Sequence, residues 1–200
     1  MDNETILHII AVVVVIAGLS ISIYYRRKAN QQGDEISMEE EGSLILNLRR
    51  LLGLTLWLST FVYLINPDWM AWASVPLPSW LRWLGAAMMI VCLPLIYWTF
   101  SSLGKNVTPT VVTREEHNLV THGPYRWVRH PLYIVGFLLF AGFSLLAANW
   151  FIFSVLLLGS FVLIERTSKE EELLEERFGD QYRDYMAHTG RFLPHFGNAR

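Results

Sequence analysis

LVTHGPYRWVRHPLYIVG, residues 119–136, passes without a break from a polar loop into an apolar helix. His122, Arg126, Arg129 and His130 crowd beside Gly123, Pro124 and Pro131. Beyond Pro131 the chain stays hydrophobic to Ile164, interrupted only near Asn149. A second polar cluster follows, ERTSKEEELLEERFGDQYRDY, residues 165–185. Two short apolar spans joined by a tight turn bring a chain back to the membrane surface it left. The spacing therefore predicts that the two polar clusters meet on one side of a membrane and form a site there.

The rest of the chain agrees with a membrane reading. Of its 200 residues 52% are hydrophobic and 17% charged, too apolar a balance for a soluble chain of this size. No fixed-period repeat and no alternation of strand and helix is visible, so the expected class is all-α, a multi-pass membrane helical bundle. Five spans are predicted, at 5–25, 44–65, 81–100, 131–148 and 150–165. Residues 1–100 hold the three N-terminal spans. Residues 101–200 form the expected catalytic region, made of a loop, the hairpin and a C-terminal cytoplasmic helix. Asp2 and Glu4 precede the first span and Arg26, Arg27 and Lys28 follow it, the reverse of a cleavable signal peptide, so the segment is expected to be retained. Residues 29–43 read as an exposed acidic linker. Arg49 and Arg50 can snorkel from the second span or contact a headgroup or substrate. Trp69, Trp72, Trp80 and Trp83 read as an interfacial belt, and Pro94 as a kink. Leu173, Leu174, Phe178, Tyr182, Tyr185 and Met186 recur at helical spacing in a charged segment that Gly179 should divide.

Orientation follows from the basic residues. All sixteen Lys and Arg except Arg82 fall, in a five-span chain, on one side. The positive-inside rule makes that side cytoplasmic and puts the N-terminus outside or lumenal. The net charge of -2 suggests no nucleic-acid partner. Cys92 is the single cysteine, which excludes an intrachain disulfide and a Cys-based metal site.

His117, His122 and His130 could be metal or haem ligands, but their spacing matches no standard zinc pattern, and no metal is expected. Arg166 and Glu170 stand four apart and share a helix face, as an ion pair or as functional groups. The run of Glu170, Glu171, Glu172, Glu175 and Glu176 reads mostly as a solvated face.

Three motifs, LVTHGPYRWVRHPLYIVG, ERTSKEEELL and FGDQYRDYMAHTGRFLP, together closely resemble the isoprenylcysteine carboxyl methyltransferase family of membrane enzymes, over about residues 100–196. The resemblance implies S-adenosylmethionine as cofactor, held on the cytosolic face. By position, it implies cofactor contacts from Thr110, His117, Asn118, Leu119, Val120, Tyr125, His130, Pro131, Leu132, Tyr133 and Glu170. Arg166 falls on the family's substrate-contacting arginine, and Arg166 and Glu170 on its catalytic pair. The implied acceptor is lipophilic or lipidated, entering from the bilayer. Phospholipid N-methylation, or a non-catalytic lipid- or haem-binding role on the same scaffold, stays open as an alternative. The chemistry fits: this cofactor carries an ammonium, a carboxylate and a sulfonium, and no two of the thirteen glycines are two residues apart, so no GxG turn exists to hold it in a soluble-type sheet. Methyl transfer to an anion needs alignment and exclusion of water, which a planar arginine fork can help supply. An amine acceptor would need a base such as His130.

Overall fold

The computed structural model describes residues 2–30, 43–104 and 119–195. Among them the regular elements are helices, with two isolated β-bridges. Long apolar runs make them: α1 (Asn3–Asn30), α2 (Ser43–Ile65), α3 (Ser79–Leu103), α4 (Pro131–Ala147), α5 (Trp150–Phe178) and α6 (Asp180–His188). α1, α2, α3 and α5 are long and apolar enough to cross a membrane, and α4 is a shorter apolar helix of 17 residues. α3 runs on through Pro94 to Leu103. The linker expected at 29–43 and the centre of the 101–129 loop fall largely outside the described residues.

Two breaks expected from sequence are present. At the hairpin, Ala148 takes a left-handed conformation (φ 47°) and Asn149 caps α5, its Oδ1 accepting from Ile152 N at 3.1 Å. Asn149 Nδ2 also donates to Met70 O at 3.3 Å, tying the turn to the 3-10 helix Pro67–Ala73. At the other end Gly179, with φ 53°, separates α5 from α6. One expectation is corrected. The last span and the charged segment after Arg166 are one helix, because nothing between Ile164 and Phe178 breaks helical geometry. The first half of α5 is apolar and the second half projects beyond it as a polar extension.

α3 and α4 form the most extensive helix pair, and two glycines permit it. A Cβ on Gly85 would stand 2.5 Å from Gly142 O and 2.6 Å from Leu146 N, so the backbones touch where any side chain would separate them. Met89, Phe143, Leu146 and Ile152 are buried around this crossing. On the outside Leu54, Leu58, Ile65 and Phe161 remain 66–75% exposed, a surface suited to lipid and not to water.

Candidate active site

The site lies where the RHPLY turn meets the polar extension of α5. Gly123 (φ 61°) and Pro124 open a short 3-10 helix, Gly123–Arg126. Tyr125 is buried beneath it, and its carbonyl accepts from the Tyr185 hydroxyl at 2.6 Å. Burial pushes both phenols up, Tyr185 to about 12, so both are neutral at physiological pH and Tyr185 is a dependable donor. The chain then passes His130, whose successor Pro131 starts α4 with the φ that a first helical turn requires.

Two neighbouring glutamates on α5 do different work. Glu170 is half-buried and its Oε2 accepts from the Tyr133 hydroxyl at 2.9 Å. Tyr125 and Tyr133 both lie within reach of its charge. Glu171 is buried and shared among three cationic or imidazole groups. Arg129 Nε donates to Oε1 at 2.7 Å, Arg191 Nε donates to Oε2 at 2.9 Å, and His130 Nε2 stands 3.2 Å from Oε1. Arg129 also donates to Thr189 O, and Arg191 to Ser168 Oγ at 3.1 Å. Burial alone would raise the Glu171 carboxyl. The bonds from His130, Arg129 and Arg191 outweigh that and hold it well below the usual carboxylate range.

This cluster brings three separate stretches together. Arg129 N donates to Gly190 O at 2.9 Å and His130 N to Arg191 O at 3.2 Å, so the strand-like segment after α6 lies beside the RHPLY turn while both are anchored to α5. His130 stacks on Tyr133, their centroids 5.5 Å apart, and Phe192 covers it from another side. The turn is thereby fixed in place, with Tyr133 aimed at Glu170.

Beneath the turn a cavity of about 600 Å³ opens between α2, α4 and α5. Leu132, Tyr133, Phe192 and Leu193 line its end nearest the clusters, and Leu56, Phe140 and Val155 line its depth. Phe137 and Ile164 belong to its wall and are exposed, so it reaches the surface of the bundle. Such a cavity has the size and character of a site for a small apolar ligand.

Of the residues singled out from sequence, the structure brings together Tyr125, His130, Pro131, Tyr133 and Glu170, with Leu132 in the cavity wall. Arg166 is half-buried one helical turn before Glu170, close enough for its charge to reach Tyr133. Leu119 and Val120 are half-buried at the head of their segment, and Thr110, His117 and Asn118 lie outside the described residues. Sequence reasoning missed Glu171 as the buried hub and gave Arg191, inside the third motif, no role of its own. Nothing in the sequence separates Glu171 from its acidic neighbours: it shares an inward face with Thr167, four residues before it, and only the fold shows that this face is buried.

Comparison with known proteins finds relatives in sequence and in fold. A family model described as phospholipid methyltransferase matches residues 80–181, half of the chain. The protein-S-isoprenylcysteine O-methyltransferase of Tribolium castaneum is 32% identical over 118 residues, covering 58% of this chain and 42% of that protein. The nickel-cobalt-cadmium resistance protein NccN of Alcaligenes xylosoxydans xylosoxydans is 26% identical over 113 residues, covering 56% of this chain and 52% of that one. The chain thus spans about half the length of these curated relatives. A solved structure of a eukaryotic intramembrane Ras methyltransferase, an isoprenylcysteine carboxyl methyltransferase, has the same fold, with a TM-score of 0.57 and 23% identity over 96% of this chain and 70% of that one. The chain belongs to the phospholipid methyltransferase family, and its resemblance to the isoprenylcysteine carboxyl methyltransferases holds in sequence and in fold.

Proposed function

We propose that this protein is a five-span membrane methyltransferase that uses S-adenosylmethionine to methylate a carboxylate on a lipid-like or lipidated acceptor. The observation that carries the reading is the Glu170–Tyr133 pair, in which Tyr133 lines the apolar cavity and donates to the Glu170 carboxylate behind it. The residues present suit the cofactor. Glu170 offers a half-buried carboxylate, oriented by Tyr133, for an ammonium, and Tyr125 and Tyr133 offer aromatic surface beside it. When bound, S-adenosylmethionine supplies a methyl group on a sulfonium, which a carboxylate can take without a base.

The chain's own residues then align and shield. Arg166, one turn from Glu170, orients the acceptor's carboxylate, and Leu132, Phe192 and Leu193 keep water from the apolar side. An acceptor amine would need a base. His130 is 7% exposed and engaged with Glu171, a poor placement for proton removal in the cavity, which favours the carboxylate over phospholipid N-methylation. With α4 counted as the fourth span, the one-sided basic residues support a cytoplasmic face for the clusters and an outside N-terminus.

Incubating the purified protein with methyl-labelled cofactor and a lipid extract tests the reading. Base-labile label in an extracted lipophilic product is expected, because a methyl ester hydrolyses in base. Label that resists base would mean N- or S-methylation, and absence of labelled product would remove the proposal. A C-terminal reporter active only on the outer side would overturn the topology.

A further inference from the structure

A second, smaller cavity lies on the other side of α4. It holds about 170 Å³ and is bounded by α1, α3 and α4, with Trp57 of α2 at its side. α1 packs mainly on α3 and touches α2 and α4 more lightly, which leaves the gap. Val15, Gly18, Leu19, Ser22 and Arg26 line it at i, i+3, i+4, i+7 and i+11, so a single face of α1 forms one wall. Burial falls along that face, from buried Val15 and Gly18 through half-buried Leu19 and Ser22 to exposed Arg26. The cavity therefore opens toward the C-terminal end of α1.

That mouth is cationic. Arg26 is the one charged residue among the described lining residues, and Arg27 and Lys28 follow it in the last turn of α1. Ser22 Oγ accepts from Arg26 Nε at 3.2 Å, which holds the guanidinium back along the cavity face, and no described residue takes its Nη nitrogens. Behind the mouth the wall is apolar apart from Ser22 and the Trp57 indole. Pockets for whole small molecules run to about 300 Å³ or more, so this volume suits a length of one hydrocarbon chain. An apolar cavity left empty is destabilising in proportion to its volume, which favours an occupant drawn from the bilayer.

We propose that this cavity binds an anionic phospholipid of the surrounding membrane, with the phosphate on Arg26 and part of one acyl chain between α1 and α4. A guanidinium pairs with a phosphate through two parallel bonds, and basic residues at the end of a span draw acidic lipids to it. The occupant is a resident lipid and not a methyl acceptor. Leu132, Gly136 and Phe140, at i, i+4 and i+8 on α4, line this cavity and the larger one alike, so one strip of α4 is the partition between them. A lipid held here braces the first turns of α4, just beyond the RHPLY turn. The proposal rests on the membrane reading alone and does not need methyl transfer.

Native mass spectrometry of the detergent-solubilised full chain counts bound lipid directly. The probes are dioleoylphosphatidylglycerol and dioleoylphosphatidylcholine, which share their chains and differ in headgroup charge. Wild type should hold one phosphatidylglycerol about tenfold or more tighter than phosphatidylcholine. Arg26→Gln should abolish that preference and Arg26→Lys should keep part of it. The double variant Arg27→Gln, Lys28→Gln should keep most of it, because neither residue lines the cavity. Leu19→Trp, which fills the cavity and leaves the charge alone, should weaken both lipids alike; if it does not fold, Leu19→Phe makes the same intrusion on a smaller scale. Equal binding of the two lipids to wild type, a preference kept in Arg26→Gln or lost only in the double variant, or unchanged binding in the filled variant would each overturn the proposal. So would oleate that displaces phosphatidylglycerol at equal concentration. A wild type that holds phosphatidylglycerol but binds no S-adenosylhomocysteine would remove the methyltransferase reading and leave this lipid site standing.

Discussion

Each end of the helix bundle joins its segments through an arginine and a carboxylate, and the two joints are built differently. At the end that carries the hairpin turn, Arg82 of α3 pairs with Glu4 of α1 through Nη2 and Oε2 at 2.8 Å, and donates from Nε to Leu146 O at 2.9 Å. Glu4 is 67% exposed, so solvent screens the pair. At the other end Glu171 is 7% exposed and serves Arg129, His130 and Arg191, which arrive from two stretches distant in sequence. The first joint is a staple between helices that their apolar contacts already hold. The second is a buried framework, without which the RHPLY turn and the segment after α6 have little to hold them side by side. Glu170, one residue before the framework, is left half-buried and bonded to the cavity-lining Tyr133, a placement that suits a ligand-binding carboxylate.

The largest effect should come from breaking the framework. Glu171→Gln leaves two arginines partly buried without their shared anion, a loss of about 3–5 kcal/mol. Thermal unfolding in detergent, followed against pH, checks it. Because the native Glu171 carboxyl titrates below its unfolded value, its contribution is complete above the ordinary carboxylate range and is lost as pH falls through the depressed native value. Wild type should therefore lose stability on the acid side, and Glu171→Gln should be less stable near neutrality with a flatter acid limb. A variant as stable as wild type at neutral pH would mean that the cluster is incidental.

Next in size is the separation of acceptor from cofactor. Arg166→Ala should leave S-adenosylhomocysteine affinity nearly intact and cut methyl transfer by roughly 30- to 1,000-fold, about 2–4 kcal/mol at the transition state. Arg166→Lys should recover only part, since a point charge cannot reproduce the planar fork. Equal, small losses in both quantities would make Arg166 a scaffold residue. The smallest effect belongs to the opposite joint, where Glu4→Gln should change stability by no more than about 1 kcal/mol and leave turnover alone. A larger loss there would erase the contrast between the two ends.

The fold was legible where composition forces it. Long apolar runs can only be helices in a membrane, and the breaks at Asn149 and Gly179 follow from residues that cap or cannot continue a helix. The site was legible where a residue carries its own geometry, as in Pro131 starting α4 beside His130. It was illegible in the acidic run. Glu170, Glu171 and Glu172 are chemically identical, and the 100° step of the helix gives each a different neighbour: Tyr133 for the first, the arginine cluster for the second, and exposed Lys169 for the third. Which direction is inward depends on the segment after α6 folding back, and nothing local to Arg191 announces that.

The most direct test of the account is calorimetric titration of S-adenosylhomocysteine into the detergent-solubilised protein and its Glu170→Gln variant. The account predicts saturable binding to wild type, weakened by about 1.5–3 kcal/mol when the Glu170 charge is removed, with the variant as stably folded as wild type. No binding to wild type, or equal affinity in the two proteins, would contradict the claim that Glu170 holds the cofactor.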